Sequence, residues 1–120
     1  MTTSRTKQQV AGDAAEADAV AVLERAGLKV LGRNVKVGND ELDVICVDDH
    51  DVMVFVEVRR RSTRSDALES IGRSKQGRIV RAATRFLGPE VHRRFMRFDV
   101  VVVSRNGIEH VVDAFRPVSR

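Results

Sequence analysis

The sequence predicts a single α/β domain in which a mixed, mainly antiparallel sheet is flanked by two helices. Three observations carry this expectation. Residues 10–26 and 74–87 place apolar side chains at helical spacing, whereas five other segments are short valine-rich runs bounded by turn residues. The chain has 120 residues, enough for one core and too few for two. Its order is helix, three strands, helix, two strands. Residues 1–8 are polar and basic without a period and read as a flexible tail, and residues 9–120 read as the domain.

In the first helix Gly12, Ala15, Ala19, Val20 and Leu23 share one side, and Gly27 stops it. Glu16 falls inside this apolar stripe and should point across the contact with the sheet. Residues 28–37 alternate, Gly38-Asn39 supplies turn chemistry, and residues 41–47 complete a hairpin. Period two places Glu41, Asp43 and Ile45 on one face. Residues 52–59 are apolar on both faces until Glu57, as expected of a central strand, with Met53, Phe55, Glu57 and Arg59 on one side. Residues 60–72 are a basic loop or short helix. The second long helix turns Ile79, Ala83, Phe86 and Leu87 inward, extended by Lys75 and Gln76, and Arg78, Arg81 and Arg85 outward; Gly88-Pro89 closes it. Residues 96–103 and 108–112 are the last strands.

Composition narrows the function. No stretch approaches the ~20 apolar residues that span a bilayer, and the first residues lack the apolar segment of a secretory signal, so the expected protein is soluble, cytoplasmic and without a membrane partner. The one cysteine, Cys46, lies in an apolar run and reads as core. The net charge of +4 hides an asymmetry: residues 1–58 carry 6 basic and 11 acidic side chains, residues 59–120 carry 15 and 6. Fourteen of those fifteen are arginine, whose planar fork matches phosphate oxygens. A polyanionic partner fits this half. With no Trp or Tyr, stacking platforms for single strands are scarce, which favours backbone contacts.

The informative anomaly is a pair of acids inside strands. Glu41-Leu42-Asp43 opens the run Val44-Ile45-Cys46-Val47, and Glu57-Val58-Arg59 closes the run that begins at Val52. Removing an ionised carboxylate from water costs roughly several kcal/mol unless a cation, a proton or hydrogen bonds compensate. A divalent metal ion is one such compensation. Pairing of Glu57 with Arg59 along one strand face is another, and the spacing alone leaves both open. Asp99 beside Arg97 reads as a structural ion pair, and His50, His92 and His110 as surface histidines without metal-ligand spacing.

An acid, a hairpin, then acid-x-base resembles the PD-(D/E)xK nucleases, whose restriction-endonuclease-like core is likewise αβββαβ. Asp43 and Glu57-Val58-Arg59 fill that outline, without the proline and with arginine in the lysine position. The chain also resembles the YraN family, uncharacterised bacterial proteins described as endonucleases and similar in outline to archaeal Holliday-junction resolvases. The resemblance covers roughly residues 12–115. It rests on Gly12-Asp13-Ala14-Ala15-Glu16, Glu41-Leu42-Asp43-Val44-Ile45, Val54-Phe55-Val56-Glu57-Val58-Arg59, Lys75-Gln76, Arg97-Phe98-Asp99-Val100-Val101 and Asp113-Ala114-Phe115. Asp40 replaces the glycine before Glu41, and Arg59 stands where many relatives have lysine.

The resemblance implies a Mg²⁺- or Mn²⁺-dependent endonuclease acting on DNA, branched or damaged DNA included. Asp43, Glu57 and the Val58 carbonyl would hold the metal, and Glu16 would complete a three-carboxylate cluster. Arg59 and Lys75 would join the catalytic set, and Arg60, Arg61, Arg64, Gln76 and Arg78 would contact the nucleic acid. Arginine cannot act as a general base, so activity is expected to be slow, to depend on Lys75, or to be absent. A homodimer would suit the cutting of two strands, although no residue pattern marks an interface. Two other readings stay open: a non-catalytic nucleic-acid-binding or scaffold module that retains a degenerate nuclease pocket, and a protein-interaction domain.

Overall fold

Local chemistry starts the first helix. In the computed structural model, which describes residues 6–117, Thr6 caps α1 (Lys7–Arg25). Its hydroxyl accepts the Gln9 N–H at 3.1 Å, and the Gln9 side-chain oxygen accepts the Thr6 N–H at 2.9 Å. This reciprocal box satisfies donors that a helix start leaves open. The helix therefore begins before residue 10, because its start signal lies in polar residues that carry no apolar period. Of the segment read as a tail, residues 7 and 8 belong to α1 and residues 1–5 lie outside the described residues.

Five strands follow in chain order across one sheet: β1 (Lys29–Val37), β2 (Asp40–Val47), β3 (Met53–Arg60), β4 (Met96–Ser104) and β5 (Gly107–Phe115). Only β3 and β4 are parallel; the other neighbours are antiparallel. A parallel pair needs a crossover. Here α2 (Arg64–Glu69), α3 (Arg73–Leu87) and a 3₁₀ turn over Gly88–His92 supply it. The basic segment after β3 thus contains a short helix, capped by the Thr63 side chain.

Helices cover both faces of the sheet. Ile79, Ala82, Ala83 and Leu87 of α3 pack with Ile45, Phe55, Phe98 and Val100 on one face. Ala19 and Leu23 of α1 pack with Val44, Cys46, Val54 and Val101 on the other. Residues 53–57 are buried on both faces, which explains their continuous apolar reading. Two inward expectations fail at helix borders. Phe86 is 42 % exposed and meets Phe55 only edge-on, with Ala82 taking the inward place, and Gly12 is exposed. The last strand runs on to Phe115 because Asp113, at φ 55°, makes a bulge whose N–H is donated to buried Asp99 at 2.9 Å.

Candidate active site

The hairpin turns its faces over at one place. Leu42 packs on the α3 side and Val44, two residues on, packs on the α1 side, although an unbroken strand would keep them on one face. β1 does the same: Val35 packs on the α3 side, and Arg33 reaches Glu16 of α1. The ladder pairs Arg33 with Val44 and Val35 with Leu42 and skips Asn34 and Asp43 between them. Asn34 sits at φ 51°, a left-handed conformation that asparagine tolerates better than most residues. Asp43 therefore does not simply share a face with Glu41 and Ile45, as regular alternation suggests. It stands at the reversal, where side chains from both helices reach it.

Glu16 and Glu57 converge on Asp43. The Asp43 Oδ2 accepts the Val58 N–H at 2.9 Å, and its carboxyl group is within proton-sharing reach of Glu57. Glu57 is 6 % exposed; its Oε1 lies 3.1 Å from Arg59 Nη2 and 3.8 Å from Lys75 Nζ. From α1, Glu16 Oε1 accepts the Asn34 side-chain N–H at 2.7 Å and lies 3.5 Å from Arg33 Nε. A cleft of ≈ 350 Å³ opens onto the group, lined by Gly12, Glu16, Asp43, Val58, Arg60 and Arg61 among others. A larger one, ≈ 670 Å³, lies at the other end of β4 against Asp113 and Arg116, away from the carboxylates.

All three carboxyl groups are harder to ionise than in water. Burial is the main cause for each. The Asp43 charge adds to it at Glu57, which is pushed up to about 7 against the opposing pull of Lys75 and Arg59. The same charge raises Glu16, opposed by Arg33 and Asn34. Asp43 is itself raised despite the Val58 N–H, Arg59 and Lys75. Crowded oxygen donors whose burial opposes their ionisation are a set that a hard divalent cation would fit.

The remaining candidates divide. Arg60 and Arg61 line the same cleft as Asp43. Arg78 is exposed on α3, Arg64 is ion-paired with Glu109 of β5, and the Gln76 amide donates to the Ile71 carbonyl at 3.0 Å instead of pointing freely into the cleft. Asn34 and Arg33, which position Glu16, escaped the sequence reading. A non-β-forming Gly32-Arg33-Asn34 inside an alternating strand was their signal. Asp99 proves structural: Arg97 grips it at 2.9 and 3.1 Å, and His110 Nε2 lies 2.7 Å from it. His110 is thus half-buried and not a surface residue. Asp48, Asp49 and His50 draw ligand atoms within 4.8 Å of one another, yet Asp48 already accepts the His50 and Val52 N–H groups and pairs with Arg97.

The αβββαβ order and the single parallel pair give the domain the restriction-endonuclease-like fold. The crystal structure of a repair endonuclease from Pyrococcus abyssi shares this fold, with a TM-score of 0.51 at 20% identity over 87% of this chain and 40% of that one. This chain therefore spans less than half of that protein. It belongs to the uncharacterised protein family UPF0102, whose pattern matches residues 15–103 and which is the YraN family its motifs resemble. The UPF0102 protein of Azorhizobium caulinodans is 38% identical over 120 residues, covering 95% of this chain and 91% of the relative. That of Halorhodospira halophila is 41% identical over 119 residues, covering 98% and 96%.

Proposed function

We propose that the protein is a divalent-metal-dependent phosphodiesterase acting on nucleic acid, with DNA the favoured substrate and branched or damaged DNA to be tested beside plain duplex. The observation that carries this reading is the convergence of Glu16 and Glu57 on Asp43, three raised carboxyl groups from three elements beside an arginine-lined cleft. Asp43, Glu57 and the Val58 carbonyl would hold Mg²⁺ or Mn²⁺, with Glu16 beside them; all are oxygen donors, as these ions prefer. When bound, the ion supplies Lewis acidity toward a phosphate and lowers the pKa of a water.

The chain's own residues do the rest. Arg59 serves as an electrostatic stabiliser of phosphate oxygens as their charge grows. Its buried Nε has no acceptor within the described residues, a donor that the free protein leaves unused. Lys75, from the first turn of α3, brings a second cation to Glu57 on a longer and more mobile stem. Arg60 and Arg61 line the approach and would hold the backbone in place.

A second reading has one observation in its favour: Arg59 and Lys75 already cover Glu57, as they would in a nucleic-acid-binding module that no longer cleaves. Cleavage of labelled duplex, single-strand and four-way-junction DNA with Mg²⁺ or Mn²⁺ separates the two. The nuclease reading expects metal-dependent cutting that Asp43→Asn abolishes while the variant still binds DNA. Binding without cutting by the wild-type protein would select the second reading, and neither binding nor cutting would remove both.

A further inference from the structure

We infer that the ends of β3 and β4 form a second anion subsite, built to hold an internal phosphodiester of the bound strand beside the one at the carboxylates. This rests on the nucleic-acid reading above and deepens it. A cleft of ≈ 470 Å³ is lined by Arg60, Arg61, Ser62, Val103, Ser104 and Arg105. Arg60 and Arg61 line the carboxylate cleft as well, so the two openings are neighbours that share a wall. The parallel pairing of β3 and β4 creates this meeting: their carboxyl ends lie side by side, with Arg60 opposite Val103. The Arg61 N–H, donated to the Val103 carbonyl at 3.0 Å, fixes the chain as it leaves β3. Arg105 arrives from the β4–β5 turn to close the other side.

The donor inventory selects the ligand. Three arginines line one cleft whose lining includes no carboxylate. Among the described residues, none of Arg60, Arg61 and Arg105 has an ion pair, whereas Arg64, Arg94, Arg97 and Arg116 each have one. Arg61 spends one Nη1 donor on the Arg60 carbonyl at 2.8 Å and keeps the rest of its fork. The Ser104 Oγ accepts the Asn106 N–H at 3.2 Å, which leaves its own O–H to donate. Three arginines lining a cleft that has no carboxylate of its own, together with the Ser104 hydroxyl donor, match the oxygens of a phosphate. The nucleic-acid strand thus runs from Asp43 across Arg60 and Arg61 toward the β4–β5 turn, and Arg105 and Ser104 are binding residues.

The test is duplex-DNA binding, followed by fluorescence anisotropy in EDTA across a salt series, so that no cleavage is needed. Arg105→Ala is compared with Arg25→Ala, which removes the same charge from the exposed end of α1. Arg105→Ala should weaken binding about tenfold at low salt and reduce the salt slope by about 0.9, the loss of one phosphate contact. Arg105→Lys should restore the slope, Arg25→Ala should change neither quantity, and the results should be the same with and without 5′-phosphates on the duplex. Equal behaviour of the Arg105→Ala and Arg25→Ala proteins would overturn the subsite while leaving the nuclease reading intact. An effect seen only with 5′-phosphorylated ends would also overturn it, in favour of a terminal monoester. A wild-type protein that binds no DNA would overturn the nucleic-acid reading itself.

Discussion

Asp43, Glu57 and Glu16 bind protons more tightly in the folded chain than in the unfolded one, with Glu57 raised to about 7. The native state therefore carries more protons, and the stability these groups contribute is fully present below their unfolded values and lost as pH rises toward 7. Without divalent metal, chemical denaturation should show wild-type stability falling between about pH 4.5 and 7. Glu57→Gln should flatten that fall and be the more stable protein at pH 8, the usual sign of a site strained for function. A variant that falls as steeply as wild type would contradict the origin assigned to the shift. Asp99 behaves oppositely. Burial pushes its carboxyl up, but hydrogen bonds from His110, Arg97 and the Asp113 N–H outweigh this and hold it below its ordinary value. Its contribution is present above about pH 4 and is lost on acidification below that. Asp99→Ala, which strands Arg97 and His110, should cost about 3 kcal/mol in urea denaturation at pH 7. The acids were legible in the sequence because charge inside an apolar run is an anomaly. Asn34 and Arg33, which hold Glu16, were not, because the one signal they gave, a non-β-forming Gly32-Arg33-Asn34 in an alternating strand, does not say which acid they meet.

At the scale of the element, the decisive event is the turnover of faces at Asn34 and Asp43. Alternation in the sequence supplied the strands but not this reversal, since Val44, Ile45 and Cys46 are all apolar and buried and leave no alternation from which a change of face could be read. Replacing Asn34 by Val should cost about 1–3 kcal/mol, because a β-branched residue resists φ 51° and the hydrogen bond to Glu16 is lost as well. Asn34→Gly should keep the backbone and lose only the hydrogen bond, and thermal melts of the two variants separate the effects. Helix borders show a similar limit. The start of α1 was hidden because Thr6 and Gln9 act through hydrogen bonds, and Thr6→Ala should cost about 1 kcal/mol. β5 reads short in the sequence because Asp113 looks like a terminator, yet its bulge is held by a partner on β4 that lies 14 positions away.

Over the whole molecule, the acidic first half and the basic second half meet where β3 ends. Residues 1–58 contribute Glu16, Asp43 and Glu57, and residues 59–120 contribute Arg59, Lys75 and the arginine cleft. The fold brings three carboxyl groups and an arginine-lined cleft to one edge, the arrangement that the proposed cleavage of a polyanion with a metal ion would use. Charge asymmetry made that partnership visible in the sequence. The adjacency of Arg105 to Arg60 was invisible, because it depends on β3 and β4 being parallel neighbours across a 35-residue crossover. Among the described residues no helix is long and apolar enough to cross a membrane. Calorimetric titration of Mn²⁺ into the wild-type protein and into Asp43→Asn tests the central claim most directly. Saturable binding by the wild type that disappears in the variant, while circular dichroism shows both folded, is the predicted result. Equal binding by both proteins, or none by either, would contradict a metal site at Asp43.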